Sequence, residues 1–310
     1  MTPSSSPLAF IGCDVGKHQI VVFDSRTGQT SSLANAPAAL AAFAATLSDD
    51  CLVVCEATGH YEAALLDALT QAGRSAHRAD ARKVKAFIRS YGTRGKTDAI
   101  DAEALARYGQ ERHPRLRRWQ PEAAARQRLH GLVMTRHSFV ADRTAWSNRA
   151  KAPGTAVDGF IQPVLAALEA QIAAIDAAIA ALIDSDADLG RSVTTLRTVT
   201  GIGAQTAAAL AAMMPELGRL GRRQAAALAG LAPHPNQSGT RDRYRRTHGG
   251  RPEVKRLMFM AAMAAVRHDP GLRQFHQRLI AAGKKPIVAL VAVMRKMIVI
   301  CNARLRPAIA

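Results

Sequence analysis

Acidic side chains are scarce: the 310-residue chain has Asp+Glu 24 against Lys+Arg 42, a formal net charge of +18 at pH 7. That field repels cations and attracts polyanions, so nucleic acid and an anionic membrane surface are the partner classes to weigh. Cysteine is rare too. Four in a chain of this length are too few for a disulfide scaffold, and a reducing cytoplasm is the expected compartment. Long uninterrupted apolar runs are missing. Ile287–Cys301 is split by Arg295-Lys296, and Leu257–Val266 is too short to span a bilayer, so no membrane partner is expected. The opening MTPSSSPLAF has neither a positive n-region nor a cleavable apolar core, so export is not expected. Aromatics make up only 5%, which leaves aliphatic and small side chains to fill the core. With 48% hydrophobic residues that core can form, which excludes a disordered basic tail.

Length and pattern predict three segments. Residues 8–33 read as three short strands, followed by a helix at Pro37–Leu47 and a buried strand at Cys51–Glu56. Helices near Tyr61–Ala72, Ala81–Ser90 and from Thr97, with a short strand near Ser75–Arg78, complete an α/β domain over residues 1–115. Residues 116–188 hold two long helical stretches broken at Pro153-Gly154. The second, VLAALEAQIAAIDAAIAALI, suits a long hairpin or a coiled-coil spacer. Residues 189–310 read as mainly helical, with a basic loop at 236–256.

Chemistry concentrates at a few places. Asp14 ends the first strand and Glu56 ends CLVVCE, while Asp98 and Asp101 share one helix face. If the first and fourth strands are neighbours, Asp14 and Glu56 emerge side by side, and the flanking helix can add its pair. Clustered carboxylate oxygens suit hard divalent cations that act on phosphodiesters. Singly, each of these acids is an ordinary turn or helix-start residue. Cys51-x₃-Cys55 with Cys13 and His60 has some zinc-like character, but the cysteines bracket core strands and read as buried thiols.

Ser238 opens the segment SGTRDRYRRTHGGRPEVKR, in which Arg241, Arg243, Arg245, Arg246, Lys255 and Arg256 would hold phosphates. On local grounds the serine caps a turn or helix. In the sharper reading it is a nucleophile toward phosphorus, with guanidinium groups stabilising the developing charge. Gly201-Ile202-Gly203 between helical stretches fits a helix-hairpin-helix-like element whose backbone approaches a phosphate; the alternative is a plain helix–helix turn. Arg94 and Lys96, just before Asp98, fit a nucleic-acid backbone contact, and Arg115 to Trp119 offers weaker stacking plus charge. These residues leave three readings open: a phosphoryl-transferring enzyme with a serine nucleophile, a metal nuclease using water, and a non-enzymatic nucleic-acid binder.

FIGCDVGKH, VVCEATGHYE and RGKTDAIDAEALARY together resemble the DEDD motif of the IS-one-ten family of insertion-sequence transposases. LRTVTGIGAQTAAAL and AGLAPHPNQSGTRDRYR…GRPEVKRLMFMAA are similar to that family's C-terminal transposase domain. The resemblance implies an RNase H/RuvC-like first domain, a coiled-coil spacer and a transposase domain. It implies that Asp14, Glu56, Asp98 and Asp101 hold Mg²⁺ and that Ser238 forms a covalent 5′-phosphoserine link to DNA. It further implies a bridge RNA guiding donor and target DNA, and a tetramer with composite sites.

Overall fold

The computed structural model describes residues 9–92, 95, 97–152, 158–235, 237–238, 241–242 and 246–306. The chain divides into two compact units, Met1–Pro121 and Glu122–Ala310. The first holds β1 (Ala9–Val15), β2 (Gln19–Asp24), β3 (Gln29–Ala34), α1 (Pro37–Thr46), β4 (Cys51–Glu56), α2 (Ala63–Gln71), β5 (Ser75–Ala79), α3 (Ala81–Ser90) and α4 (Asp98–Arg112). The sheet order is β3-β2-β1-β4-β5, with an antiparallel β1–β2–β3 meander and β4 and β5 parallel to β1. The expected neighbouring of first and fourth strands is therefore present.

Strands β1 and β4 are near-continuous apolar runs because both faces of the sheet are covered. On one face Ala9, Ile11, Cys13, Val53 and Cys55 meet Leu40 of α1 and Leu65 of α2. On the other, Phe10, Leu52 and Val54 meet Val84 and Phe87 of α3 and Leu105 of α4. The approach of α4 is close. A Cβ at Gly12 would overlap the Ala102 carbonyl and lie 2.6 Å from the Ala106 amide nitrogen. Gly109, one turn later, sits over Phe10 and Val54. Helix α4 thus runs antiparallel to β1, and its first turn, with Asp98 and Asp101, lies toward the strand end that carries Asp14.

The outer edge of β5 is closed by the segment after α4. The Trp119 amide donates to the Ala76 carbonyl (2.6 Å), and His77 Nδ1 meets the Arg117 carbonyl oxygen (2.8 Å). Trp119 itself packs against the α1/α2 side of the core, so the indole considered for stacking on nucleic acid serves the fold. All four cysteines are buried free thiols. Burial, reinforced by the Glu62 charge, pushes the Cys55 thiol up to about 12, which disfavours the thiolate zinc needs.

The second unit holds α5 (Ala124–Ala150), α6 (Asp158–Ser185), α7 (Ala187–Arg197), α8 (Ala204–Met213), α9 (Arg222–Leu228), a ladder of β6 (Gln237–Ser238) with β7 (Arg241–Asp242), α10 (Pro252–His268), α11 (Pro270–Ala281) and α12 (Pro286–Arg304). Helices α5 and α6 pack along each other. Arg136 of α5 binds both oxygens of Asp176 of α6 (2.5 and 3.1 Å), and Gln205 of α8 joins the same carboxylate. Ala207–Ala212 of α8 are buried all round, which places that helix at the centre. By length and composition α6 (over Gly159–Ser185) and α12 could each cross a membrane. Helix α12, however, buries Val293, Met294, Met297 and Ile298 in this unit's core.

Gly12 makes a direct prediction. Gly12→Val drives branched carbons into the α4 backbone and is expected to cost about 3 kcal/mol or more. Urea unfolding of the variant would show it, and an unchanged midpoint would refute the close packing.

Candidate active site

Parallel register pairs Cys13 with Cys55, so Asp14 and Glu56 are the next positions on adjacent strands, about 4.8 Å apart and on the α4 side. Both are half-buried. Asp14 and Asp98 line one cavity of about 260 Å³ together with Lys17 and His18 of the β1–β2 turn and Gln19 at the start of β2. The Thr97 hydroxyl caps α4 by accepting from the Ile100 amide (3.3 Å), which fixes where the first turn begins. Asp101, one turn on from Asp98, is half-buried. Among the described residues, no group of three or more His, Cys, Asp or Glu is gathered closely enough to hold a metal ion as the side chains stand.

The loops around these strand ends are tied together by residues the sequence reading did not single out. Asn35, after β3, donates its side-chain amide to the Gly16 carbonyl (3.0 Å) and the Tyr61 carbonyl (3.1 Å), and its backbone N–H donates to His18 (3.0 Å). One side chain thereby links the turn after Asp14 to the loop after Glu56. That second loop is strained, since His60 has φ 79°. It is held by Glu62, 2% exposed, which accepts from the Thr58 amide (3.1 Å) and from Arg78 Nε of β5 (2.7 Å). Burial pushes the Glu62 carboxyl up, but backbone N–H donors and the Arg78 guanidinium outweigh it and hold the group below the usual range.

In the second unit Ser238 lies on β6 and pairs in register with Arg241 of β7. Within the expected basic loop of 236–256, residues 237–238 and 241–242 form a short antiparallel ladder, and 252–256 belong to the start of α10. The base of the ladder is a Pro233–Thr247 bridge, with the His234 amide donating to the Arg246 carbonyl (3.1 Å) and the His234 and His248 rings stacked 4.2 Å apart. Below the bridge the two chain segments cross at Gly230 and Gly250, so closely that a Cβ on Gly250 would sit 2.6 Å from Gly230 Cα. Arg251 locks the crossing through the Met213 carbonyl (2.6 Å) and both oxygens of Glu216 (2.6 and 2.7 Å). Lys255, expected to hold phosphate, directs its ammonium at the Thr247 carbonyl and hydroxyl (3.2 and 2.9 Å). Arg256 bonds Glu253 (3.1 Å) and is exposed, as is Arg246. Arg94, Lys96, Arg243 and Arg245 lie outside the described residues.

The Gly201–Gly203 turn joins α7 to α8. Gly201 has φ 89°, and a Cβ there would overlap the Ala261 carbonyl and lie 2.9 Å from Ala265 Cβ. Its freedom serves packing on α10. Gly203 is exposed at the N-cap of α8.

Comparison with known proteins adds a second line. The family model described as "Transposase IS116/IS110/IS902 family" matches residues 193–277, and a transposase model of the DEDD, IS110 type matches residues 11–153. The first span contains Ser238; the second contains all four acids. Pilin gene-inverting proteins of Moraxella lacunata and Moraxella bovis are each 28% identical over 227 residues, covering 72% of this chain and 70% of theirs.

The Glu62–Arg78 pair carries a pH signature. A carboxylate whose folded pKa is depressed stabilises fully above its unfolded value, about 4.3, and that contribution fades as pH falls through the folded value. Glu62→Gln is expected to lose about 2 kcal/mol at pH 7 and to show a flatter melting temperature between pH 5 and pH 3. Parallel curves for wild type and variant would contradict the assignment.

Proposed function

Because the chain belongs to the IS110 family of transposases, and so is a DNA recombinase, we propose that it cuts and rejoins DNA through Ser238 with the help of Asp14, Glu56, Asp98 and Asp101. The observation that carries this reading is the cavity shared by Asp14 and Asp98, set by the seating of α4 on Gly12. A Ser238 hairpin clasped at Gly230 and Gly250 supports it from the other unit.

The donor chemistry at the cavity fits a hard divalent cation: the acids are all carboxylates, and two of them face the same space. Asp14, Glu56, Asp98 and Asp101 would hold Mg²⁺, which supplies Lewis-acid stabilisation of the phosphorane charge when bound. The chain's own part is nucleophilic. The Ser238 hydroxyl oxygen bonds to phosphorus, the P–O3′ bond breaks, and the serine proton ends on the released 3′ oxygen. The 5′-phosphoserine keeps one phosphodiester for each one broken, so a 3′ hydroxyl can reverse the step without an external energy source. Arg241, Arg243, Arg245, Arg246 and Arg256 would neutralise phosphate around it, as would Arg94 and Lys96 near the acids. Gly201 and Gly203 keep a proposed role in backbone contact with nucleic acid. Inversion of a pilin gene, the activity for which the Moraxella proteins are named, also requires strands to be cut and resealed.

The finer elements of the proposal rest on the family resemblance and the charge. A structured bridge RNA would choose donor and target DNA by base pairing, which suits the +18 charge of a protein handling several polyanions. The working form would be a tetramer with a coiled-coil spacer at 116–188, RuvC-like domain 1–115 and transposase domain 189–310, acting in the cytoplasm on the nucleoid.

Two measurements test the core of this. A suicide DNA substrate followed by denaturing electrophoresis should trap a protein–DNA adduct in wild type, lost in Ser238→Ala, with cleavage abolished by Asp14→Asn. Equal cleavage by Ser238→Ala with no adduct would mean that water attacks. Asn35→Ala, which unties the two acid-bearing loops, should weaken Mn²⁺ binding about tenfold in calorimetry. An unchanged Mn²⁺ isotherm would remove Asn35 from the site's support.

A further inference from the structure

Beside the base of the Ser238 hairpin lies a cavity of about 700 Å³, bounded by α10, α12 and the Pro233–Thr247 bridge. Phe259, Val288, Val291 and Met294 make its walls apolar. Its lining also includes four basic side chains, Arg246, Lys255, Arg256 and Arg295. Ile287, 53% exposed, stands among the apolar lining residues. The size falls within the range of about 300–1,000 Å³ typical of sites that bury a small organic group. Of its lining, only Arg246 and Arg256 have a part in the proposed recombination step, as phosphate-binding residues; the apolar walls have none.

Apolar walls together with four basic side chains describe the complement of a particular object: a flat group with apolar faces attached to an anionic chain. We propose that this cavity receives one unstacked nucleobase of the DNA strand held at the hairpin, with the flanking phosphates meeting Arg246, Arg256 and Arg295. The proposal deepens the recombinase reading and rests on it. Duplex DNA offers its bases only as edges, so a base must leave the stack to enter, and apolar contact with a ring such as Phe259 offsets that loss. Lys255 is tied to Thr247, which joins two parts of the lining. Ser238 is five residues beyond Pro233, within about 17 Å along extended backbone, so the base and the attacked phosphate would lie only a few nucleotides apart. A base drawn out so near the cut interrupts stacking where one strand end must leave and another arrive.

The test compares two single-stranded probes on the full-length chain by fluorescence anisotropy: a 15-nucleotide oligo-dT and an abasic 15-mer with the same phosphates. Wild type should bind oligo-dT at least tenfold more tightly. Ala292→Leu, which narrows the cavity without adding charge or an aromatic face, should reduce that preference severalfold while abasic affinity changes less than twofold. Phe259→Leu, which keeps the wall apolar but removes its ring, should reduce the preference severalfold and serves if Ala292→Leu does not fold. Equal binding of both probes by wild type, or a preference that survives both variants, overturns the pocket. The serine adduct assay separates the two readings: an adduct without base preference removes only the pocket, and a cavity-dependent base preference without an adduct removes only the serine step.

Discussion

Helix α4 can lie on β1 only because position 12 has no side chain. With Gly12 beneath Ala102 and Ala106, and Gly109 over Phe10 and Val54, the helix backbone rests almost directly on the strands. That fixes both the height and the direction of α4, and hence where its first turn stands relative to the end of β1. The acids could occupy the same sequence positions on a helix lifted by a methyl group and no longer face a common space. Packing of the first turns of the helix on β1 is therefore what places the acids proposed for the chemistry.

The second unit solves a similar problem with a different device. A two-residue ladder is too short to hold Ser238, the proposed nucleophile, still by its own hydrogen bonds. Its rigidity comes from below, where Gly230 and Gly250 cross and where Arg251 and Lys255 bind carbonyls and Glu216. Some of the basic residues in this segment are thus spoken for by the protein, and the positive charge offered to a ligand is smaller than composition suggests. Arg246 and Arg256 remain exposed at its edge.

Much of this was legible in the sequence where a feature has a local period. The apolar runs of β1 and β4, the helix start at Thr97 and the spacing of Asp98 and Asp101 all announce themselves within a few residues, whereas the neighbouring of β1 and β4 was a condition that the sheet order then met. The basic loop at 236–256 was located, though its ladder was not. Other features depend on partners far along the chain. Asn35 joins residues 19 and 26 positions away, and Glu62 meets Arg78 on another strand, so neither has a local signature. Gly230 and Gly250 look like ordinary turn glycines until the crossing is seen. Lys255 looks identical to a phosphate-binding lysine, because a charge does not reveal which carbonyl it faces. Trp119 misled for the same reason: an indole beside arginines can stack on a base or seal a core.

The closed edge of the sheet has a consequence for how copies of the chain can meet. Residues 117–119 lie along the margin of β5, and among the described residues no strand pairs with the outer margin of β3. That strand is QTSSLA, nearly all solvated, so a second strand added there would gain backbone bonds but little apolar contact. A sheet with one sealed border and one unrewarding border resists edge-to-edge polymerisation, even when several copies are concentrated on a single nucleic acid. Contacts between copies through this unit are then left to its helices, which offer a bounded surface, whereas a cross-strand zipper would grow without a natural stopping point.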